Sequence, residues 1–137
     1  GENENLLKSN DGLKWHYIGN FVRAGEKGHW TSRGIHSMKV FYKDKEKYFL
    51  FNGSSGDDEE NLISQIGCGK LSKDNRIIKI SEEPTIGNDE ALYKYGSGSA
   101  CAMYENGKVK IWYSGMNSDN PNVDEFIRIF YVEGDVR

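Results

Sequence analysis

The sequence predicts an all-β chain, and three observations predict it. Eight Tyr, six Phe and three Trp accompany sixteen Gly and two Pro, a mix suited to strands and turns and poor in helix formers. The apolar residues fall in short runs closed by Gly, Asn or Asp. One phrase also occurs twice: "GIHSMKVFYKDKEKYFLFNG" (34–53) returns as "GSGSACAMYENGKVKIWYSG" (96–115).

The repetition is gapless over twenty positions. A shift of 62 aligns Gly34 with Gly96, Ser37 with Ser99, Tyr42 with Tyr104, Asp44 with Asn106, Phe51 with Tyr113 and Gly53 with Gly115. A shift of 63 aligns Ser9 with Ser72, Asp11 with Asp74, Trp15 with Ile78, Gln65 with Arg128 and Ile66 with Ile129. Turn residues and apolar parity agree at both shifts, so a structural unit is being repeated.

Each unit reads as four short strands. The first is "HSMKVFY" (36–42) or "GSACAMY" (98–104), followed by the turns "KDKE" and "ENGK". Asn106-Gly107 is a strong hairpin signal because both residues accept positive φ. The second strand, "KYFLFNG" or "VKIWYSG", is continuously apolar, as a strand covered on both faces should be. The third is "LISQIGCGKL" or "FIRIFYVEG". The fourth is "RIIKI" (76–80), matched by "LKWHY" (13–17) after the turn "SNDG". The one faintly helical stretch is 89–94.

Antiparallel four-stranded units at a period of about 62 predict a β-propeller-type fold in a single domain, 1–137. In that reading 5–22 are the outer strands of a split blade, 34–80 a complete blade and 96–132 an incomplete one. Two blades per chain imply that copies assemble into a homo-oligomeric ring, or that the chain is part of a longer one.

Charge excludes some functions. The net charge is −3 and the pI about 5.6, with both signs interspersed, so no basic patch is expected for nucleic acid or an anionic membrane. Mean hydropathy is −0.73 and no apolar run approaches a membrane span. The start at Gly1, with no apolar leader, reads as a processed or trimmed end. Cys68 and Cys101 set no disulfide framework and read as reduced, partly buried thiols.

The segments "MYENGKVKIWYSG" (103–115), "RIFYVEG" (128–134) and "SNDGLKWHYIG" (9–19) resemble the blade pattern of the five-bladed propeller glycosidases. That superfamily takes in arabinanases, xylosidases, fructosidases and mannoside phosphorylases. The resemblance covers most of the chain and lies in framework positions. It implies a protein that acts on or binds carbohydrate, or a propeller that has lost its acids and serves as a glycan- or protein-binding module.

In that family the catalytic carboxylates stand at the inner ends of first strands, and glycoside hydrolysis needs two of them at a set separation. The matching positions here, "WTSRGIHS" (30–37) and "LYKYGSGS" (92–99), contain no Asp or Glu. Asp89 and Glu90 in "GNDEALYKYG" are the nearest acids and the candidate catalytic pair. Trp30, Arg33, His36, Tyr95 and Ser97 are the candidate substrate-binding residues. An aromatic stacks on sugar faces, Arg clamps anions, and His or Ser bonds hydroxyls. Trp15 and Trp112 read as packing residues within strands, and Glu82 and Glu83 as surface charges.

His16 and His29 lack ligand-spaced partners, so no zinc site is expected. The acidic loops 56–61 and 117–125 leave calcium open, but their spacing fits no EF-hand and a solvated loop is the preferred reading. No other cofactor motif occurs.

Overall fold

The computed structural model describes residues 4–56, 62–87, 96–116 and 127–135, and every regular element among them is a strand. In chain order these are β1 (Glu4–Lys8), β2 (His16–Val22), β3 (Gly34–Lys43), β4 (Glu46–Ser55), β5 (Ile63–Leu71), β6 (Ile77–Ile80), β7 (Gly96–Glu105), β8 (Lys108–Met116) and β9 (Ile127–Gly134). The protein is all-β. The stretch 89–94 lies outside the described residues.

Strands β3 to β6 form an antiparallel meander, and β7 to β9 form a second one. The two join into one open sheet through a single parallel pairing, Ser64 with Gly96. β1 and β2 form a separate two-stranded sheet.

The hairpin turns follow from the residues that occupy them. Asn106 and Gly107 both take positive φ (54° and 79°), the geometry of a type I′ turn, which twists with the strands it joins. Asp44 takes φ 55° at the corresponding place in the first meander. The two meanders also share a bulge. From 36 to 39 in β3 and from 98 to 101 in β7 the chain advances three positions while the partner strand advances two, and Ser37 and Ser99 adopt left-handed φ of 56° and 45° within these bulges.

β2 starts later than the sequence suggests. Leu13, Lys14 and Trp15 precede it, in a turn organised by Asp11, whose carboxylate accepts the N–H groups of Leu13 (2.8 Å) and Lys14 (2.9 Å) and the Ser9 hydroxyl (3.0 Å). Trp15 is therefore an exposed turn residue and not a packing one, its Nε1–H donating to the Gly12 carbonyl. The Lys14 and Leu13 amides, with the Ser9 hydroxyl, hold the Asp11 carboxyl below its ordinary 3.8. A carboxylate with a lowered folded-state pKa contributes stability above its unfolded pKa and loses it as pH falls through the folded one. The Leu13 and Lys14 amide resonances are accordingly expected to titrate together below pH 3.8. Asp11→Asn should abolish that shift while leaving β6 and β8 unmoved.

Two cores lie on opposite faces of the first meander because apolar side chains alternate along β4. Tyr48 and Leu50 point to one side, with Phe41, Ile66, Ala100, Val109 and Tyr113. Phe49 and Phe51 point to the other, with Val22, Trp30, Ile35 and Leu71. The result is that β3–β6 packs on β7–β9 with one face, while Phe21 and Val22 at the end of β2, together with Trp30, cover the other. β4 is consequently buried from Tyr48 through Ser54, as its unbroken apolar run predicts. β8 carries a similar run but only Val109, Tyr113 and Gly115 on it are buried, all on the face toward the first meander.

Candidate functional site

The ends of four strands converge at one edge of the interface between the two meanders. β3 begins there with Gly34, β4 arrives with Asn52 and Ser54, β5 leaves with Ser64, and β7 begins with Gly96, Ser97 and Gly98. The residues at these ends are polar: Arg33, His36, Ser37, Asn52, Ser64, Ser97 and Ser99. The glycines let backbones meet. A Cβ at Gly96 would lie 2.1 Å from the Ser64 carbonyl oxygen, and its φ of 113° excludes ordinary side chains.

Asn52 ties this end together. It is 1% exposed, and its Nδ2 donates to the Ser97 carbonyl (3.0 Å) and the Ser64 hydroxyl (3.3 Å), while its Oδ1 accepts the Ser99 amide (3.1 Å). Ser97 is fully buried, its hydroxyl donating to the Ile86 carbonyl. Ser114, at the position of Asn52 in the second meander, donates to the Gly98 carbonyl at 2.9 Å. A buried amide must find partners or forfeit its hydration, and here all its partners belong to strand ends that need aligning.

Of the residues singled out from sequence, His36 and Ser97 stand beside Asn52 at this end, and Arg33 lies just before β3. Arg33 is exposed, its backbone amide donating to the Ser54 carbonyl at 2.9 Å. His36 is half-buried and stands opposite Asn52 across the β3–β4 ladder. The bulge that follows it turns Ser37 outward; bulges are devices for re-aiming side chains of this kind.

Trp30 departs from expectation. Its ring stacks on Phe51 (centroids 5.4 Å apart), lies 5.9 Å from His29, and covers Gly53 and Gly67. Its Nε1–H donates to the Glu82 carbonyl at 2.8 Å. The indole is a core residue of the first meander, because glycines on β4 and β5 open a slot that only a large flat ring fills. Trp112 packs in its strand as expected, against Tyr131 at 5.3 Å.

Asp89, Glu90 and Tyr95 lie outside the described residues, as do most of both acidic loops. Among the described residues, no cluster of three His, Cys, Asp or Glu could hold a metal. What the described end offers to solvent is the exposed Arg33 and Ser37 and the half-buried His36, while Asn52 and Ser97 are buried in hydrogen bonds behind them. The first three are donors and acceptors for a hydroxyl-rich or anionic ligand.

A deeper cleft, of about 530 Å³, opens at the opposite end of the same interface, between Leu50, Cys68, Ile86, Val109, Ile111 and Val132. Its walls also carry the rings of Phe41 and Tyr48 and, at its rim, Lys70, Lys79, Glu133 and Asp135. Burial pushes the Cys68 thiol up to about 11, so it is a protonated, unreactive group. Cys101 is unpaired and exposed rather than partly buried.

The sequence features missed were Asn52, Ser64 and the two bulge serines. Asn52 carried a signal, being the one amide at the end of the apolar run "KYFLFNG". The Ser37/Ser99 match was visible too, but a left-handed serine has no sequence mark.

No family model matches the chain, and no curated protein matches it. Solved structures do. A sucrose-6-phosphate hydrolase from Lactobacillus gasseri is 16% identical, with a TM-score of 0.75 over 97% of this chain and 26% of that one. A glycosyl hydrolase from Bacteroides ovatus is 16% identical, with a TM-score of 0.59 over 77% of this chain and 30% of that one. The chain thus spans between a quarter and a third of the length of these structures, and it shares its all-β fold with part of each glycosyl hydrolase.

Proposed function

We propose that this chain is a propeller-type portion of a glycosidase-like fold that binds carbohydrate where β3, β4, β5 and β7 converge. The carrying observation is the concentration of polar groups there: Arg33 and His36 beside a network in which Asn52 aligns Ser64, Ser97 and Ser99. The layered stacking of similar meanders supports the propeller reading. The fold shared with glycosyl hydrolases supports the ligand class. In this reading Arg33 and His36 bond the sugar's hydroxyls or an attached anionic group, and Trp30 holds β4 and β5 in place from below.

Hydrolysis asks for two carboxyl groups around the glycosidic bond. No Asp or Glu occurs in 30–37 or 92–99, so Asp89 and Glu90 are the proposed pair for any turnover. Without them the site is a binding site.

Calorimetric titration against a panel of pyranosides, furanosides and their phosphorylated forms tests the proposal. At least one is expected to bind, and Arg33→Ala should weaken it roughly 10-fold or more, the worth of a charge-assisted hydrogen bond. Silence across the panel, or affinity unchanged by both Arg33→Ala and His36→Ala, refutes the site. Turnover of chromogenic glycosides that vanishes in Asp89→Asn or Glu90→Gln would make the site catalytic.

A further inference from the structure

The two surfaces that meet between the meanders close at one end and part at the other. The first meander lays out its side in cross-strand rows: Asn52 with Ile66, then Leu50 with Cys68, then Tyr48 with Lys70 and Lys79. The facing rows of the second meander are Tyr113 with Phe130, Ile111 with Val132, and Val109 with Gly134. Tyr113 and Phe130 stack with centroids 5.6 Å apart and fill their row, but the last row ends on a residue without a side chain. The counterpart of Gly134 at the 63-residue shift is Leu71, which is 5% exposed and packed in the other core. A Cβ built on Gly134 would meet nothing within 4 Å. The cleft of about 530 Å³ lies over these outer rows, a volume within the ~300–1,000 Å³ of small-molecule sites. This chain bounds it on both sides, with β3–β6 and the segment after them on one and β8–β9 on the other.

The interior of the cleft asks for apolar surface. Leu50, Ile86, Val109, Ile111 and Val132 supply aliphatic walls, and the stacked rings of Phe41 and Tyr48 close one side. The Ser81 hydroxyl already accepts the Cys68 amide at 3.1 Å, and among the described residues no buried side-chain polar atom lacks a partner. The mouth, by contrast, holds a charge without a counter-ion. Lys70 and Lys79 stand directly opposite each other across the β5–β6 ladder, where like charges repel. Glu46 neutralises Lys70 at 2.6 Å. On the other lip Asp135 pairs with Lys108 at 3.2 Å. Glu133 alternates with Val132 and Gly134 and so faces away from the cleft, opposite Lys110 and accepting the Tyr131 hydroxyl at 2.6 Å. The exposed Lys79 has no ion pair or hydrogen bond among the described residues.

We propose that this cleft is a second binding site, for a small amphiphile with an apolar chain and an anionic head such as a medium-chain carboxylate. The chain lies between Leu50 and Cys68 on one side and Ile111 and Val132 on the other, in the space that Gly134 leaves open. The head pairs with Lys79 and relieves its repulsion with Lys70. Burial of half-exposed apolar surface drives entry, and the single free cation at the mouth sets the orientation. The inference uses no property of the carbohydrate site at the opposite end of the interface.

Fluorescence titration of the full chain with anilinonaphthalene sulfonate, which joins apolar rings to an anion, tests it. One saturable site is expected. Dodecanoate should displace the probe, and dodecyltrimethylammonium, with the same chain and the opposite charge, should do so roughly 10-fold less well or worse. Gly134→Leu puts the side chain of its counterpart Leu71 into open space, so it should abolish the saturable signal and raise the thermal midpoint. Lys79→Glu, at an exposed position, should weaken dodecanoate roughly 10-fold or more and narrow its advantage over the cationic surfactant. Circular dichroism checks both folds, and if Gly134→Leu unfolds, Lys79→Glu decides. No saturable probe binding, or binding unchanged in the folded variants, overturns the proposal. So does displacement of the probe by sugar phosphates and not by dodecanoate. Sugar binding that depends on Arg33 while the probe finds no site would remove this inference and leave the carbohydrate reading standing.

Discussion

Gly96→Ala is expected to cost about 3 kcal/mol or more and to loosen the second meander from the first. Two effects add. A Cβ would stand 2.1 Å from the Ser64 carbonyl oxygen and 2.6 Å from its amide nitrogen, both backbone atoms in a paired strand that cannot swing aside. The φ of 113° is also one that L side chains seldom adopt. Overpacking and left-handed strain each cost about 1–3 kcal/mol. The pairing of Ser64 with Gly96 is the one ladder pairing between the meanders, next to the Asn52 bonds to Ser97 and Ser99, so the damage falls on the seam. Thermal denaturation should show a lowered midpoint, with the fluorescence of Trp112 changing before that of the buried Trp30. A midpoint within a degree of wild type would mean that the seam is held elsewhere, by the apolar core and the Asn52 bonds.

Asn52→Leu is the second large expected effect. Leu keeps the branched skeleton of Asn with two bulkier methyl groups in place of the amide oxygen and nitrogen, so the substitution removes the hydrogen bonds and crowds the site slightly. Three bonds disappear, and the Ser97 carbonyl and Ser99 amide are left facing an apolar side chain. An unsatisfied buried backbone group costs about 1–3 kcal/mol, so a loss of roughly 2–4 kcal/mol is expected. Asn52→Asp is the informative companion. It keeps an acceptor for the Ser99 amide and loses the donor to the Ser97 carbonyl, and it places a charge at a position 1% exposed. It should be worse than Leu at neutral pH and recover as acid protonates the carboxyl. Urea denaturation at two pH values separates the cases; equal stability of Asn52→Asp at both would contradict the burial argument.

Much of the strand pattern was legible because it rests on local chemistry. The turn at Asn106-Gly107, the continuously apolar β4 and the matching glycines at strand ends depend on φ preferences and on side-chain alternation, both carried by neighbouring residues. Trp15 and Trp30 were not legible for the opposite reason. Trp15 reads as a strand residue until Asp11 is seen to capture the amides of Leu13 and Lys14 and delay the strand. Trp30 reads as a pocket aromatic until Gly53 and Gly67, distant in sequence, are found to make a slot for it.

The site was half visible. Arg33, His36 and Ser97 stand at strand starts, where the repeat itself marks the positions that differ between copies. Asn52 acts through partners 12, 45 and 47 residues away, a relation no local pattern encodes.

The unbroken burial of β4 also has a kinetic consequence. Its amides bond β3 on one side and β5 on the other, with apolar layers above and below. Local fraying cannot admit water to them, so their protons should exchange with solvent only when the whole domain opens. The β9 amides that face away from β8 should exchange far sooner. Deuterium uptake at Phe49–Phe51 would then report the global unfolding free energy of the chain, and uptake along β9 would report whether its edge has found a neighbour.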